Sequence, residues 1–220
     1  MAIEISAFAW VPPFASGHVR DLRPRWALEE AGLVYKVRLL TFEEKETREY
    51  RAWQPFGQVP AYRDDEVRLF ESGAILLRIA SLSDTLRPRT AQEQADISAW
   101  LFAALNSIEP MTMNLTLPAL FHAGEPWVEG FRPHAEKLVD LRLKSLSAWL
   151  KDREWLTGRF GVADIMMATV LRDLREEAVL TRYPVAAAYL ERCLARPAFR
   201  KALDDQIADH AAHAPAETVN

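Results

Sequence analysis

The hydrophobic pattern of this 220-residue chain changes near residue 82, and that change restricts the possible folds more than any other feature. Before it, short apolar-rich runs alternate with helical segments in the predicted order β-α-β-α-β-β-α. A helix between the first two strands indicates a parallel pair, and the turn signal at Asp64-Asp65 indicates an antiparallel pair. The first part of the chain is therefore predicted to be a small mixed sheet with helices packed on it.

The remainder of the chain has apolar residues at helical spacing only. Thr90 and Glu93 form a capping box, in which each side chain accepts from a free backbone N–H at the start of a helix. Pro110 is expected to stop or kink that helix, and the Pro- and Gly-containing stretch 110–127 is expected to be irregular. We therefore predict an α/β domain at 1–82 and an all-helical domain at 90–220.

Composition argues against several classes of protein and site. The 27 Lys and Arg and 31 Asp and Glu are interspersed, so no basic stripe predicts contact with nucleic acid. No apolar run approaches the roughly 20 residues that span a bilayer, and the first residues lack the pattern of a secretory signal. Cys193 is the only cysteine, and His210 and His213 have no nearby carboxylate pattern. We therefore expect a soluble, cytoplasmic protein that binds neither a metal ion nor a membrane.

Four local sequences resemble the cytosolic glutathione transferases of bacterial type. They are RWALEEAGL at 25–33, similar to the family's first helix; QPFGQVP at 54–60 followed by FES at 70–72, similar to its glutathione-binding stretch; FGVADI at 160–165, similar to its folding motif; and ARPAF at 195–199, similar to its final helix. Together they cover nearly the whole chain. The resemblance implies a thioredoxin-like α/β N-terminal domain, an all-α C-terminal domain and a homodimer.

The resemblance implies that Val59 and Pro60 bind glutathione through the backbone. In the family this peptide bond is cis, which for X-Pro is only about 0.5–1 kcal/mol less favourable than trans. It exposes the amide and carbonyl of Val59, and glutathione pairs with them as an added strand would. Gln58 is implied to reach the glycyl carboxylate. A proline that merely begins a strand is the alternative, and the downstream pair Glu71 and Ser72 favours the binding interpretation.

Ser72 is expected at the start of a helix, where its hydroxyl and backbone N–H suit a carboxylate. Glu71 supplies a negative charge beside it. The γ-glutamyl end of glutathione carries both a carboxylate and an ammonium, so Ser72 matches the first and Glu71 the second. An ordinary serine cap beside a solvated glutamate is the alternative.

The group that activates the glutathione thiol is left open by the sequence. A free thiol is only a few per cent ionised at pH 7, and family members use a Tyr, Ser or Cys near the first helix. Here Arg20 or Asp21 stands at the corresponding place, and no Tyr or Cys precedes it. The candidates are the hydroxyl of Ser16, the guanidinium of Arg20 and the indole N–H of Trp10. Backbone N–H groups are a further possibility, and Asp21 is also a good helix cap.

Asp164 is assigned to folding and not to chemistry. The family's pattern has a Ser or Thr three residues before this aspartate, where this chain has Gly161. Asp164 at the third helical position is still expected to accept from N–H groups of the first turn, with a loss of a few tenths of a kcal/mol for the missing hydroxyl. Cys193, on an apolar helix face, is expected to be a buried, inert thiol.

The predicted activity is conjugation of glutathione to small apolar electrophiles, a detoxification reaction. One alternative is a glutathione-dependent disulfide or peroxide reductase without a protein cysteine, and another is a non-catalytic binding protein with the same fold. The electrophile pocket is expected between the two domains. Its predicted walls, several of which are equally candidates for the core, are Trp10, Phe14, Trp100, Ala104, Met111 and Met113, with His122 and Trp127 at the mouth.

Overall fold

The computed structural model describes residues 2–215, which group into two compact units. Unit 1 contains the described residues up to Arg87 and from Pro197 onward, and unit 2 is Pro88–Arg196. The last helix therefore belongs with the first part of the chain by its contacts. The division into domains at 1–82 and 90–220 stays a prediction. In the structure, the last helix makes its contacts within unit 1.

Unit 1 is built on a four-stranded mixed sheet of β1 (Ile3–Phe8), β2 (Tyr35–Leu40), β3 (Ala61–Arg63) and β4 (Arg68–Phe70), in the order β2-β1-β3-β4. Strand β1 runs parallel to β2 and antiparallel to β3, and β3 is antiparallel to β4. The predicted thioredoxin-like arrangement is thus confirmed. The helices of its first part are α1 (Leu22–Ala31), α2 (Arg48–Arg51) and α3 (Ser72–Leu82).

Helix α1 is the central helix of unit 1 and carries the buried side chains of Trp26 and Leu28. It ends at Gly32, whose left-handed backbone (φ 63°) lets its N–H return to the last turn. Burying an aromatic or leucine side chain stabilises a fold by about 1.5–3 kcal/mol. One face of α1 packs on α3, and this brings the starts of the two helices together.

Unit 2 is helical throughout its regular elements. They are α4 (Ala91–Phe102), α5 (Glu109–Phe121), α6 (Pro126–Leu150), α7 (Val162–Arg172), α8 (Ala178–Thr181) and α9 (Pro184–Leu194). The prediction that 110–127 is irregular is wrong, because α5 continues through most of it. A π-helical segment, Ala103–Ile108, lies just before Pro110. We infer that the wider turn accommodates the hydrogen bond that Pro110 cannot donate.

Asp164 connects three parts of unit 2. Its carboxylate accepts from the backbone N–H of Leu156 at 3.0 Å, from that of Gly161 at 3.0 Å and from the hydroxyl of Tyr189 at 2.8 Å. Burial raises the pKa of Asp164 to about 6. Close by, Cys193 is buried and its thiol pKa is raised by that burial. The carboxylate therefore holds a turn, a helix start and α9 together.

The last helix, α10 (Pro197–Ala212), packs against α1 in unit 1. Phe199 makes an edge-to-face contact with Trp26, with ring centroids 4.9 Å apart. The ARPAF segment at 195–199 predicts the start of this helix, and the structure extends the helix to Ala212. None of the helices within residues 2–215 is both long and apolar enough to pass through a bilayer.

Candidate functional site

The peptide bond between Val59 and Pro60 is cis, as the resemblance implies. Both residues are buried and stand directly before β3. Val59 belongs to a buried apolar cluster with Leu40 and Trp53, against which Val19 packs from the loop before α1. The segment that precedes α1 and the segment that precedes β3 therefore meet in one cluster.

A buried chain of hydrogen bonds fixes the backbone on both sides of this dipeptide. The N–H of Ala61 donates to Ser6 Oγ at 2.7 Å, and the Ser6 hydroxyl lies 2.7 Å from the Tyr50 hydroxyl. Tyr50 in turn donates to the carbonyl of Gln58 at 2.6 Å, so the Ser6 hydroxyl donates to Tyr50. Burial raises the pKa of Tyr50, which keeps the phenol protonated and able to donate.

The loop before the cis bond is shaped by a second buried side chain. Gln54 Oε1 accepts from the backbone N–H of Phe56 at 2.7 Å and of Gln58 at 3.2 Å. Gly57 has φ 62°, and a Cβ there would lie 3.1 Å from the carbonyl oxygen of Lys45. Only glycine fits this turn without strain. The side chain of Gln58 is left exposed at the end of the loop.

Glu71 and Ser72 form the most unusual backbone of unit 1. Glu71 has φ 70°, and within residues 2–215 it is the only non-glycine residue with a positive φ. Such a conformation costs on the order of 1–3 kcal/mol and is concentrated at ligand sites. Ser72 is the first residue of α3 and is 5% exposed, while Glu71 occupies the cap position with an exposed side chain.

Arg23, which the sequence analysis does not single out, reaches this place from the first turn of α1. Its Nη1 donates to Ser72 Oγ at 3.1 Å, and the whole side chain is buried. A buried guanidinium beside the start of a helix creates a positive potential. The site around Ser72 is therefore suited to a carboxylate.

The three candidates for thiol activation all lie between β1 and α1. Ser16, Arg20 and Trp10 are each half-buried. Ser16 Oγ is 3.0 Å from Nδ1 of His210 on α10. Gly17, directly after Ser16, has φ 83°, in the left-handed region that favours glycine.

Asp21 does not cap α1 through its side chain. Its carboxylate accepts from Arg25 Nε at 2.8 Å and from Gln206 Nε2 at 2.8 Å, and it is fully buried. Arg25 Nη2 also donates to Asp209 at 2.6 Å. Burial raises the pKa of Asp21, and the positive charge of Arg25 opposes that effect. Asp21 therefore joins α1 to α10.

A cavity of about 460 Å³ lies on unit 2 beside α5. It brings together three of the residues that the sequence analysis expects at an apolar pocket, Met113, His122 and Trp127. The rings of His122 and Trp127 are 5.3 Å apart. By contrast, Ala104 is fully buried, and the half-buried Trp100 packs on the partly exposed ring of Trp149, with ring centroids 5.3 Å apart. The other residues that line the cavity are Pro110, Asn114, Leu117, Pro118 and Phe121.

The part of the chain described by the structure contains no cluster of three His, Cys, Asp or Glu side chains that could hold a metal ion. The polar groups around Ser72 and the Val59-Pro60 segment include hydroxyls, the guanidinium of Arg23 and backbone amides. These groups bind carboxylates and stabilise sulfur anions by hydrogen bonding.

Comparison with known proteins identifies the family. The model of the glutathione S-transferase N-terminal domain matches residues 15–81. A probable glutathione S-transferase of rice, Oryza sativa subsp. japonica, is 31% identical over 189 residues, which are 79% of this chain and 86% of the relative. The chain belongs to the glutathione S-transferase family. It is accordingly an enzyme of the transferase class.

Solved glutathione transferases share the fold along nearly the whole chain. A family member from Pseudomonas fluorescens, crystallised with two glutathione bound, is 25% identical, with a TM-score of 0.79 and coverage of 91% of this chain and 92% of that one. One from Pseudomonas putida, with one glutathione disulfide bound per subunit, is 22% identical, with a TM-score of 0.79 and coverage of 92% and 90%. The glutathione transferase fold predicted from the sequence is therefore confirmed.

Proposed function

We propose that this glutathione transferase binds glutathione on unit 1 and conjugates its thiolate to small apolar electrophiles. The observation that carries the proposal is the arrangement at the start of α3, where buried Arg23 holds the Ser72 hydroxyl beside the strained backbone of Glu71. Ser72 and the helix start bind the γ-glutamyl carboxylate. The exposed carboxylate of Glu71 binds the ammonium group of the same residue of glutathione.

The rest of the tripeptide is proposed to lie along the segment before β3. The backbone amide and carbonyl of Val59 pair with the cysteinyl part of glutathione, in the manner of an added strand. The buried hydrogen bonds of Ser6 and Tyr50 keep this segment in one conformation, so little conformational entropy is lost when glutathione binds. Gln58, with its exposed side chain, binds the glycyl carboxylate.

Ser16 is our first choice for the group that stabilises the thiolate, with Arg20 and Trp10 as the alternatives. Lowering the thiol pKa by two units needs about 2.7 kcal/mol of preferential stabilisation of the anion. A hydrogen bond to a charged group supplies about 1.5–3 kcal/mol. One hydroxyl is therefore sufficient in magnitude, and the loop of Ser16 is tied to the Val59 cluster through Val19.

The electrophile is proposed to use the apolar cavity beside α5. Met113 and Trp127 give it one flexible and one flat apolar surface. Replacing Met113 with Ala is expected to raise the KM for an apolar electrophile by about tenfold with glutathione affinity unchanged, since about 1.4 kcal/mol of apolar contact is lost. Unchanged KM values across several electrophiles would exclude this cavity.

The glutathione site is tested by titration calorimetry of the full chain with glutathione. Glu71→Gln and Ser72→Ala are each expected to weaken binding by about tenfold or more, because each removes a bond to a charged group. Ser81→Ala, an exposed serine on the same helix, is the matched control and should bind as the wild type does. If both site variants keep wild-type affinity, the site is wrongly placed.

A second candidate, reduction of disulfides by two glutathione molecules, is favoured by one observation. The Pseudomonas fluorescens relative binds two glutathione, and this chain has no cysteine in unit 1 to form a mixed disulfide. The two activities separate in assays with a chlorodinitrobenzene and with a small organic disulfide. Turnover of the disulfide alone would favour the second candidate.

We propose that the enzyme is a homodimer. Phe56 and Phe102 are 64% and 62% exposed, which supports an interface that covers them. Sedimentation of the purified chain at micromolar concentration is expected to give twice the mass of the 25.0 kDa chain. A monomer under these conditions would contradict the proposal.

A further inference from the structure

The buried face of α10 changes character along its length. Phe199 and Ala202 are apolar, whereas Gln206 and His210, one and two turns further on, are polar and equally buried. Burying a polar side chain is unfavourable unless it is hydrogen-bonded, and an apolar residue would pack there at less cost. We therefore expect Gln206 and His210 to make specific hydrogen bonds in addition to packing.

Both polar residues contact the loop that carries Ser16. Gln206 Nε2 donates to the carbonyl of Val19 at 3.1 Å as well as to Asp21. His210 Nδ1 is 3.0 Å from Ser16 Oγ. Helix α10 thus holds the loop at both ends, and at one end it touches the hydroxyl proposed to stabilise the thiolate.

The surroundings of His210 determine which ring nitrogen carries the proton. Burial lowers the pKa of His210, with Asp21 and Asp209 opposing this and Arg25 adding to it, so the ring is neutral at pH 7. Nε2 is buried and has no hydrogen-bond partner among the described residues. A buried N–H without an acceptor is rarer than a buried acceptor without a donor. A proton on Nδ1 leaves only an unpaired acceptor at Nε2, whereas a proton on Nε2 would leave an unpaired buried donor, so we infer the Nδ1–H tautomer.

We propose that His210 is a positioning residue for thiol activation: its Nδ1–H donates to Ser16 Oγ and so directs the hydroxyl proton of Ser16 away from the ring and toward the glutathione sulfur. The inference rests on the proposed role of Ser16. With the opposite tautomer the Ser16 hydroxyl would donate to the ring, and its only proton would be unavailable to sulfur. His210 acts only through Ser16.

The test measures the thiol pKa of bound glutathione, from the pH dependence of thiolate absorbance and of kcat/KM, after calorimetry has established binding. Ser16→Ala is expected to raise this pKa by about one to two pH units. His210→Phe is expected to raise it by about half as much and to lower turnover at neutral pH by about threefold. His210→Asn, whose amide lies where Nδ1 was, should keep the wild-type value, while His210→Gln should resemble Phe.

The double variant Ser16→Ala with His210→Phe distinguishes an effect of His210 through Ser16 from an independent effect on the thiol pKa. If His210 acts through Ser16, its replacement changes nothing once the hydroxyl is gone. His213→Phe, an exposed histidine at the end of the same helix, is the control and should behave as wild type. The proposal is overturned if Ser16→Ala raises the thiol pKa but His210→Phe and His210→Gln do not, if Ser16→Ala has no effect, or if the double variant shows an additional rise. Absence of glutathione binding by the wild type would instead refute the proposed function itself.

Discussion

Unit 1 and unit 2 each contain a fully buried aspartate near the start of a helix, and the two are held in different ways. Asp21 is paired with the guanidinium of Arg25 and with Gln206. Asp164 receives two backbone N–H groups and one phenol, and every hydrogen bond it accepts within residues 2–215 comes from a neutral donor. The first carboxylate joins α1 to α10, more than 180 residues further along the chain, whereas the second holds its own helix start, the turn before it and the nearby α9.

The difference has an energetic consequence. If Asp164 is removed, three buried donors lose their acceptor at once, and each unsatisfied group costs about 1–3 kcal/mol. When Asp21 is removed, Arg25 retains its bond to Asp209, so part of the charge remains compensated. Unit 2 is therefore expected to depend on its aspartate for stability, and unit 1 on its aspartate for the arrangement of the loop before α1.

The largest expected effect is that of Asp164→Ala. It should lower the free energy of unfolding by about 4 kcal/mol, measured by urea titration followed by circular dichroism. Asp152→Ala, at an exposed aspartate nearby, should change stability by less than about 0.5 kcal/mol. The glutathione affinity of the folded fraction should be unaltered. A loss under about 1 kcal/mol would mean that the three donors find water instead.

A pH titration examines the same carboxylate without deleting it. The pKa of Asp164 is raised from 3.8 to about 6 in the folded protein, so the folded state binds the proton more tightly than the unfolded state. The stability contribution is therefore full below about pH 4 and is lost as the pH rises through 6, by up to about 3 kcal/mol. Relative to Asp164→Asn, the wild type should lose stability over this interval. Parallel curves for the two proteins would show that the pKa is not raised.

Asp21→Ala is expected to have a smaller effect on stability and a larger one on catalysis. The free energy of unfolding should fall by about 2 kcal/mol, less than the 3–5 kcal/mol typical when a buried pair is broken, because Asp209 still faces Arg25. In addition, kcat/KM should fall by about tenfold as α10 releases the loop of Ser16. Loss of stability with full activity in the remaining folded enzyme would make Asp21 a purely structural residue, like Asp164.

The local features of both units could be predicted from the sequence, and the bonds between distant residues could not. The positions of β2, β3, Gly32 and the start of α3 follow from alternation, turn residues and helix signals within a few positions. The bonds of Ser6 to Tyr50, Arg23 to Ser72 and Ser16 to His210 join residues 44, 49 and 194 positions apart. A single sequence contains no local signal for such pairs.

In the helical part of the chain, a local sequence signal gave a wrong prediction because tertiary packing outweighed it. Pro110, Pro118 and Gly124 predict an irregular segment, yet α5 extends to Phe121 with Pro118 inside it. A proline removes one hydrogen bond and strains the preceding turn, at about 3 kcal/mol. Burial of Leu115 and Thr112 along the same helix offsets that loss, and burial could not be inferred from the local pattern.

The smallest expected effects come from removing one neutral donor from each aspartate. Tyr189→Phe takes a hydroxyl from Asp164 and should cost about 1.5 kcal/mol. Gln206→Leu takes an amide from Asp21, but the Oε1 of Gln206 is buried and has no partner among the described residues. Its removal relieves an unsatisfied acceptor, so the net loss should be about 0.5 kcal/mol. Thermal unfolding at matched protein concentration measures both.

The kinetic consequences of these two substitutions should be reversed. Gln206→Leu frees the carbonyl of Val19 as well as Asp21, so it should lower kcat/KM by about threefold although it scarcely affects stability. Tyr189→Phe should leave kcat/KM unchanged. If instead both variants lose activity in proportion to stability, then α10 contributes to unit 1 only by packing, and the two buried aspartates differ in their partners but not in what they do.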